Sequence, residues 1–115
     1  MARNSHRLRV IRGTLDIFVL QSIADRPLHG FEISLWLEEH SKGLLDVDDS
    51  ALYQALHRLE ARGFIEGRWG VSENNRRARF YRLTRDGRTR LQAESERLMS
   101  YAHAIRLLLA GSSSR

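Results

Sequence analysis

The 115-residue chain contains no cysteine. Disulfides and thiolate metal sites are therefore excluded, and a reducing compartment suits it. No apolar run approaches the ~18 residues of a membrane span. The basic start of the chain is not followed by the apolar segment and small-residue cleavage site of a signal peptide. A cytoplasmic location with no membrane partner is expected. The five histidines, His6, His29, His40, His57 and His103, are scattered without metal-ligand spacing. There is no glycine-rich phosphate loop, nucleophile elbow or paired-carboxylate signature. Glu38 and Glu39 are adjacent, so they diverge on a helix instead of converging on a substrate. Neither an enzymatic activity nor a cofactor or metal is expected. Lysine is nearly missing too: of 19 basic residues only Lys42 is not arginine.

What is present is arginine, unevenly placed. Residues 1–28 hold five Arg against two Asp, net +3, and residues 29–49 hold one Lys against six acids, net −5. Residues 50–90 hold ten Arg against four acids, net +6, and the remainder is net +1. Arginine binds phosphate and guanine edges bidentately, so a cluster of this kind suits nucleic acid. Hydrophobic residues make up 42% of the chain. At this length that supports one domain with a modest core, which a partner chain would enlarge.

Residues 49–63 carry the clearest pattern. Leu52, Ala55, Leu56 and Leu59 fall at i, i+3, i+4 and i+7, one apolar stripe of a helix. Asp49 or Ser50 can cap its start, and Gly63 ends it. The opposite face carries Ser50, Tyr53, Gln54, His57, Arg58 and Ala61, and a slim helix with such a face can enter a DNA groove. Before it, residues 11–25 read as a helix with Leu15, Phe18, Val19, Ser22 and Ile23 on one face, stopped at Arg26-Pro27. Thr14 and Asp16 are its candidate caps. Residues 28–42 read as a second helix, with His29 in a structural hydrogen bond at its start and Ser41-Lys42-Gly43 as its stop. Residues 3–12 read as a disordered arm or a helical turn. Their apolar Leu8, Val10 and Ile11 favour contact with a partner subunit over DNA.

After Gly63, residues 64–69 and 78–83 read as two strands joined by the polar loop 70–77, a hairpin. Its Arg76 and Arg77, with Arg79 beyond, suit a tip that reaches a DNA backbone or minor groove. Thr84 caps a last helix running from Arg85 to about Leu109, roughly 35–40 Å. Leu91, Leu98, Ala102, Ile105 and Leu109 run down one side, beside Tyr101 and Leu108. The rest of the chain is too small to cover so long a helix, so its outer half is expected to pack on a second copy. Three helices followed by a hairpin make an α+β fold, a winged helix-turn-helix. The expected organisation is a DNA-binding domain over 10–84, a dimerisation helix over 85–110, and flexible termini at 1–9 and 111–115.

These segments together resemble the PadR family of bacterial transcriptional regulators. The resemblance rests on Gly13-Thr14-Leu15-Asp16, on Pro27-Leu28-His29-Gly30-Phe31-Glu32-Ile33, on residues 50–60 with Gly63-Phe64-Ile65, and on residues 77–84 with Gly87. The family often has Tyr where Phe31 stands and Pro where Gln54 stands. The second difference lies on the DNA-facing side, so operator preference does not carry over. The short chain with a single last helix is similar to the compact subgroup. That resemblance implies dimers held by the last helix with help from the N-terminal segment. It also implies a small-molecule effector site, because some relatives bind flat aromatic ligands at the dimer interface through an aromatic residue of the last helix; here Tyr101 would take that role.

The expected function is that of a homodimeric repressor on a palindromic operator. Ser50 and Tyr53 would hold phosphates, Gln54 could read adenine, and Arg58 could read guanine or clamp phosphate, with His57 beside them. Arg58 could equally pair with Glu32 or Glu39. Arg76, Arg77 and Arg79 would serve the wing. The competing reading is a winged-helix module whose basic face binds an acidic protein.

Overall fold

A computed structural model describes residues 7–111. The elements, in chain order, are β1 (Leu8–Arg9), α1 (Leu15–Ser22), β2 (Leu28–His29), α2 (Gly30–His40), β3 (Leu45–Asp46), α3 (Asp49–Ala61), β4 (Ile65–Val71), β5 (Arg77–Leu83) and α4 (Arg85–Gly111). Three of them bend the sequence reading. The first helix, expected over residues 11–25, spans only Leu15–Ser22. Residues 28 and 29, expected to begin a helix, form β2, which pairs antiparallel with β5 (Leu28 opposite Tyr81, His29 opposite Phe80). The sheet order is β2-β5-β4. The N-terminal segment, expected as a disordered arm or a helical turn, instead forms β1 and pairs in parallel with β3. Arg7 pins it there, donating to the Leu45 carbonyl at 2.9 Å and pairing with Glu38 and Asp46. Of the termini expected to be flexible, residues 8 and 9 are therefore strand and Gly111 is helix. Residues 1–6 and 112–115 lie outside the described residues.

The helix boundaries follow local chemistry. Thr14 does not cap α1 with its side chain; its hydroxyl donates to the Ile11 carbonyl instead. At α2, His29 Nδ1 accepts from the Glu32 backbone while Glu32 accepts from the His29 backbone, a reciprocal cap like that of Ser/Thr with Glu. The α2 stop is as expected: Gly43, at φ +74°, donates to the Glu38 carbonyl. The cap of α3 is Asp48, whose carboxylate accepts from the Ala51 backbone at 3.1 Å, not Asp49 or Ser50, which form the first helical turn.

The core lies where α1, α2 and α3 meet. Val19, Leu20 and Ile23 of the first helix region meet Ile33 and Leu37 of α2 and the whole Leu52/Ala55/Leu56/Leu59 stripe of α3, all buried. Burying a leucine side chain contributes about 1.5–3 kcal/mol, so the α3 stripe fixes which way that helix faces. Ile65, Tyr81 and Leu83 close the core from the hairpin, and burial pushes the Tyr81 hydroxyl pKa up.

The helix α4, about 40 Å long at 1.5 Å per residue, leans its first turns on α1 and β5. Thr84 caps it, accepting from Gly87 N at 3.0 Å and donating to the Gly63 carbonyl at 2.7 Å. Leu91, expected at a subunit contact, is instead buried in the protomer's own core. The helix is still crossing α1 at that point, and the core reaches that far. Beyond it the picture reverses: Met99, Tyr101, Ile105, Leu107, Leu108 and Leu109 are exposed. None of the described helices is long and apolar enough to cross a membrane. The architecture is a winged helix followed by a long C-terminal helix.

Candidate nucleic-acid interface

With its apolar stripe sunk in the core, α3 must turn Ser50, Tyr53, Gln54, His57 and Arg58 outward, and all five are exposed. Four of them have no ion pair or side-chain hydrogen bond among the described residues. Arg58 does. Its partner is neither Glu32 nor Glu39 but Asp16, in the first turn of α1: Nη2 donates to Oδ1 at 2.5 Å and Nε to Oδ2 at 3.4 Å. This hydrogen bond raises the Arg58 pKa further. The two residues lie 42 positions apart and meet because α1 packs across α3. A half-exposed pair of this kind contributes about 0.2–1 kcal/mol. It therefore orients Arg58 more than it stabilises the fold, and it ties α1 to the outward face of α3.

The hairpin sorts its arginines by partner. The strands are one residue or two longer at the tip than the sequence suggested, with Gly70 and Val71 inside β4. The turn closes with Ser72 N donating to the Arg76 carbonyl and Asn75 N to the Ser72 carbonyl, and Asn75 takes the left-handed φ of +60°. That is a three-residue hairpin loop with Asn where glycine is commonest. On the outer face Glu66 engages Arg82 and Arg68.

On the inner face Arg79, expected to serve the wing, is committed elsewhere. Its Nη2 donates to Glu60 Oε2 at 2.6 Å, and this bond raises its pKa. Gly67 N reaches the same oxygen at 3.4 Å. Glu60, near the end of α3, thus holds the wing to that helix, and Arg79 is a brace. Arg76 and Arg77 remain exposed with no carboxylate within 4.0 Å among the described residues. The Arg77 guanidinium lies 4.4 Å from the Trp69 ring centre.

Between the inner wing face and the α2–α3 edge runs an open groove of about 760 Å³, lined by Phe31, Tyr53, Trp69 and Arg77 among others. Sequence reasoning missed Phe31 and Trp69 as surface groups. The signal was present in the hairpin register: Ile65, Gly67 and Trp69 share one face, and only its base can reach the core.

Comparison with known proteins agrees with this architecture. The family model for the transcriptional regulator PadR-like family matches residues 19–93. The transcriptional regulator Rv3488 of Mycobacterium tuberculosis is 32% identical over 94 residues, covering 82% of this chain and 84% of that protein. A transcriptional regulator from Clostridium thermocellum superposes with a TM-score of 0.74 at 27% identity, covering 83% of this chain and 89% of that one. Bacillus subtilis PadR, solved in complex with operator DNA, shares the fold at a TM-score of 0.63 and 24% identity, over 70% of this chain and 45% of that one. A match over more than half the chain, with a regulator about one-third identical across most of both lengths, settles the assignment: the chain belongs to the PadR-like family of transcriptional regulators.

Proposed function

We propose that this protein is a cytoplasmic, homodimeric repressor that binds a two-fold related operator through α3 and the wing. The observation that carries the reading is the division of α3 into a fully buried stripe and an exposed Ser50/Tyr53/Gln54/His57/Arg58 face, set beside Arg76 and Arg77, which are exposed and have no carboxylate partner among the described residues. The operator complex of B. subtilis PadR supports the same use of the shared fold. In this reading Leu98, Tyr101, Ala102, Ile105, Leu108 and Leu109 join two copies along α4, with Leu8 and Ile11 extending the contact. The pair then presents two α3 helices to successive major grooves about 34–36 Å apart. A small-molecule effector seated between the two α4 helices beside Tyr101 would change that separation and release the DNA.

The test is a gel shift on duplexes selected from genomic DNA, across a salt series. The wild type is expected to bind with a steep salt dependence. Arg76→Ala with Arg77→Ala should weaken every duplex and flatten the log–log salt slope by about 0.9 per lost phosphate contact. An unchanged slope would remove the wing from the interface. Gln54→Ala should instead reorder the preferred sequences, since a bidentate base contact discriminates by about 1–3 kcal/mol. An equal loss on all duplexes would show that Gln54 does not read bases.

A further inference from the structure

The groove between wing and helices holds a set of side chains that folding alone does not account for. Phe31 is 65% exposed, Trp69 58% and Tyr53 49%. All three line the same trough. Phe31 stands out from the first turn of α2, its ring stacked on His29 at 6.5 Å. Trp69 stands out because β4 has left the core by that point, and it carries Arg77 on its ring. Tyr53 is held low against Gly30, whose missing side chain leaves the room: a Cβ there would collide with the Tyr53 hydroxyl and come within 2.9 Å of its ring. Of the two acids on the trough, Glu32 is spent on the α2 cap and Glu73 lies out on the turn.

The placement of this trough follows from DNA geometry once α3 and the wing are taken as the reading elements, and the inference rests on that reading. Neighbouring major and minor grooves of a duplex are divided by one sugar–phosphate strand. A protein with α3 in the first and a wing tip in the second must let that strand pass between them, along this trough. The lining matches such a strand. Aromatic faces suit the apolar side of deoxyribose. A guanidinium stacked on a ring keeps its N–H edge for phosphate, and a tyrosine hydroxyl can donate to the same group. We propose that the trough seats the dividing strand, with Phe31 and Trp69 against deoxyribose and Arg77 and the Tyr53 hydroxyl on phosphate. Phe31, Trp69 and Gly30 thereby become residues of the DNA interface.

A strand seat is indifferent to sequence, which separates it from base reading. Binding is measured by fluorescence anisotropy with a duplex selected from genomic DNA and with one of random sequence. Phe31→Ala and Trp69→Ala should each weaken both duplexes by about tenfold, the scale of one lost aromatic contact. Both side chains are largely exposed, so thermal unfolding should be unchanged. Phe31→Ala should leave the salt slope as it is, whereas Arg77→Ala should flatten it by about 0.9. Gly30→Ala, by displacing Tyr53, should weaken both duplexes as well.

If the wild type binds and the Phe31 and Trp69 variants bind equally well, the seat is refuted while the DNA-binding reading stands. A wild type that binds neither duplex refutes both. The aromatic anionic dye 8-anilinonaphthalene-1-sulfonate tests the rival occupant. Dye binding that is lost in Trp69→Ala, with DNA affinity untouched, would assign the trough to a small ligand and overturn the proposal.

Discussion

Gly87→Ala is expected to lower the thermal midpoint by about 10 °C, the reverse of what a helical glycine normally does. Replacing a helix-interior glycine by alanine ordinarily stabilises by roughly 0.5–1 kcal/mol, because the unfolded chain loses freedom. At Gly87 an added Cβ would collide with the carbonyl oxygen of Phe64, and would meet the Phe64 carbonyl carbon at 2.8 Å and Leu83 Cδ2 at 3.1 Å. The obstacle is backbone and cannot swing aside. The same carbonyl also accepts from Thr84 N at 3.1 Å, so moving it loosens the start of α4. Forcing atoms into a packed site of this kind costs about 1–3 kcal/mol, and a loss of 1 kcal/mol lowers the midpoint by roughly 4–8 °C in a domain near this size. Melting curves recorded by circular dichroism at equal protomer concentration check the sign. A midpoint that stays level or rises would mean that α4 does not approach the α3–β4 junction this closely. The contact sets the angle at which α4 leaves the winged-helix unit.

What could be read from the sequence, and what could not, divides along the range of the interactions. The α3 stripe was legible because i, i+3, i+4 and i+7 spacing is a local property of one amphipathic helix, and all four residues are in the core. The hairpin was legible from its alternation and its polar turn. The two-residue strands β1 and β2 were not. Each exists only because a distant partner supplies the other half of the ladder, Leu45 for Leu8 and Tyr81 for Leu28. The same holds for the arginines. Composition marks residues 50–90 as basic, but it does not show that Arg58 finds Asp16 42 residues away or that Arg79 finds Glu60. The first pairing orients Arg58 on the outward face of α3, and the second turns Arg79 into a brace. The remaining candidates, Arg76 and Arg77, are distinguished by the lack of a carboxylate neighbour among the described residues, which only three-dimensional placement reveals. Leu91 illustrates the same limit: its spacing fits the α4 stripe, yet it packs on its own protomer because the helix has not yet left the core.

Ala102→Glu with Ile105→Glu is expected to convert the protein to monomers and to reduce operator affinity by at least about 100-fold. Past Leu98 the α4 helix is little covered by the described residues of its own domain: Tyr101, Leu107 and Leu108 are more than 60% exposed and Ile105 is 39% exposed. A soluble chain rarely leaves so continuous an apolar stripe in water unless a partner covers it. Two carboxylates buried in such a seam would lie close to their symmetry mates, and desolvating them would outweigh the apolar contact. The wing, α3 and the core are remote from these positions, so the fold and the intrinsic contact of one α3 with one half-site should survive. What disappears is the linkage that makes the second half-site contact intramolecular, worth 10²–10⁴ in avidity by order of magnitude. The outcome is read in two parallel measurements. Sedimentation should give about one protomer's mass, near 13.3 kDa, in place of two. Titration should give weak, non-cooperative binding that is alike on a full palindrome and on a single half-site. Retention of full operator affinity by a monomeric variant would show that one winged helix suffices and that α4 serves some other contact. Retention of the dimer would place the subunit interface elsewhere, with the exposed surface of β1 and Ile11 as the next region to substitute.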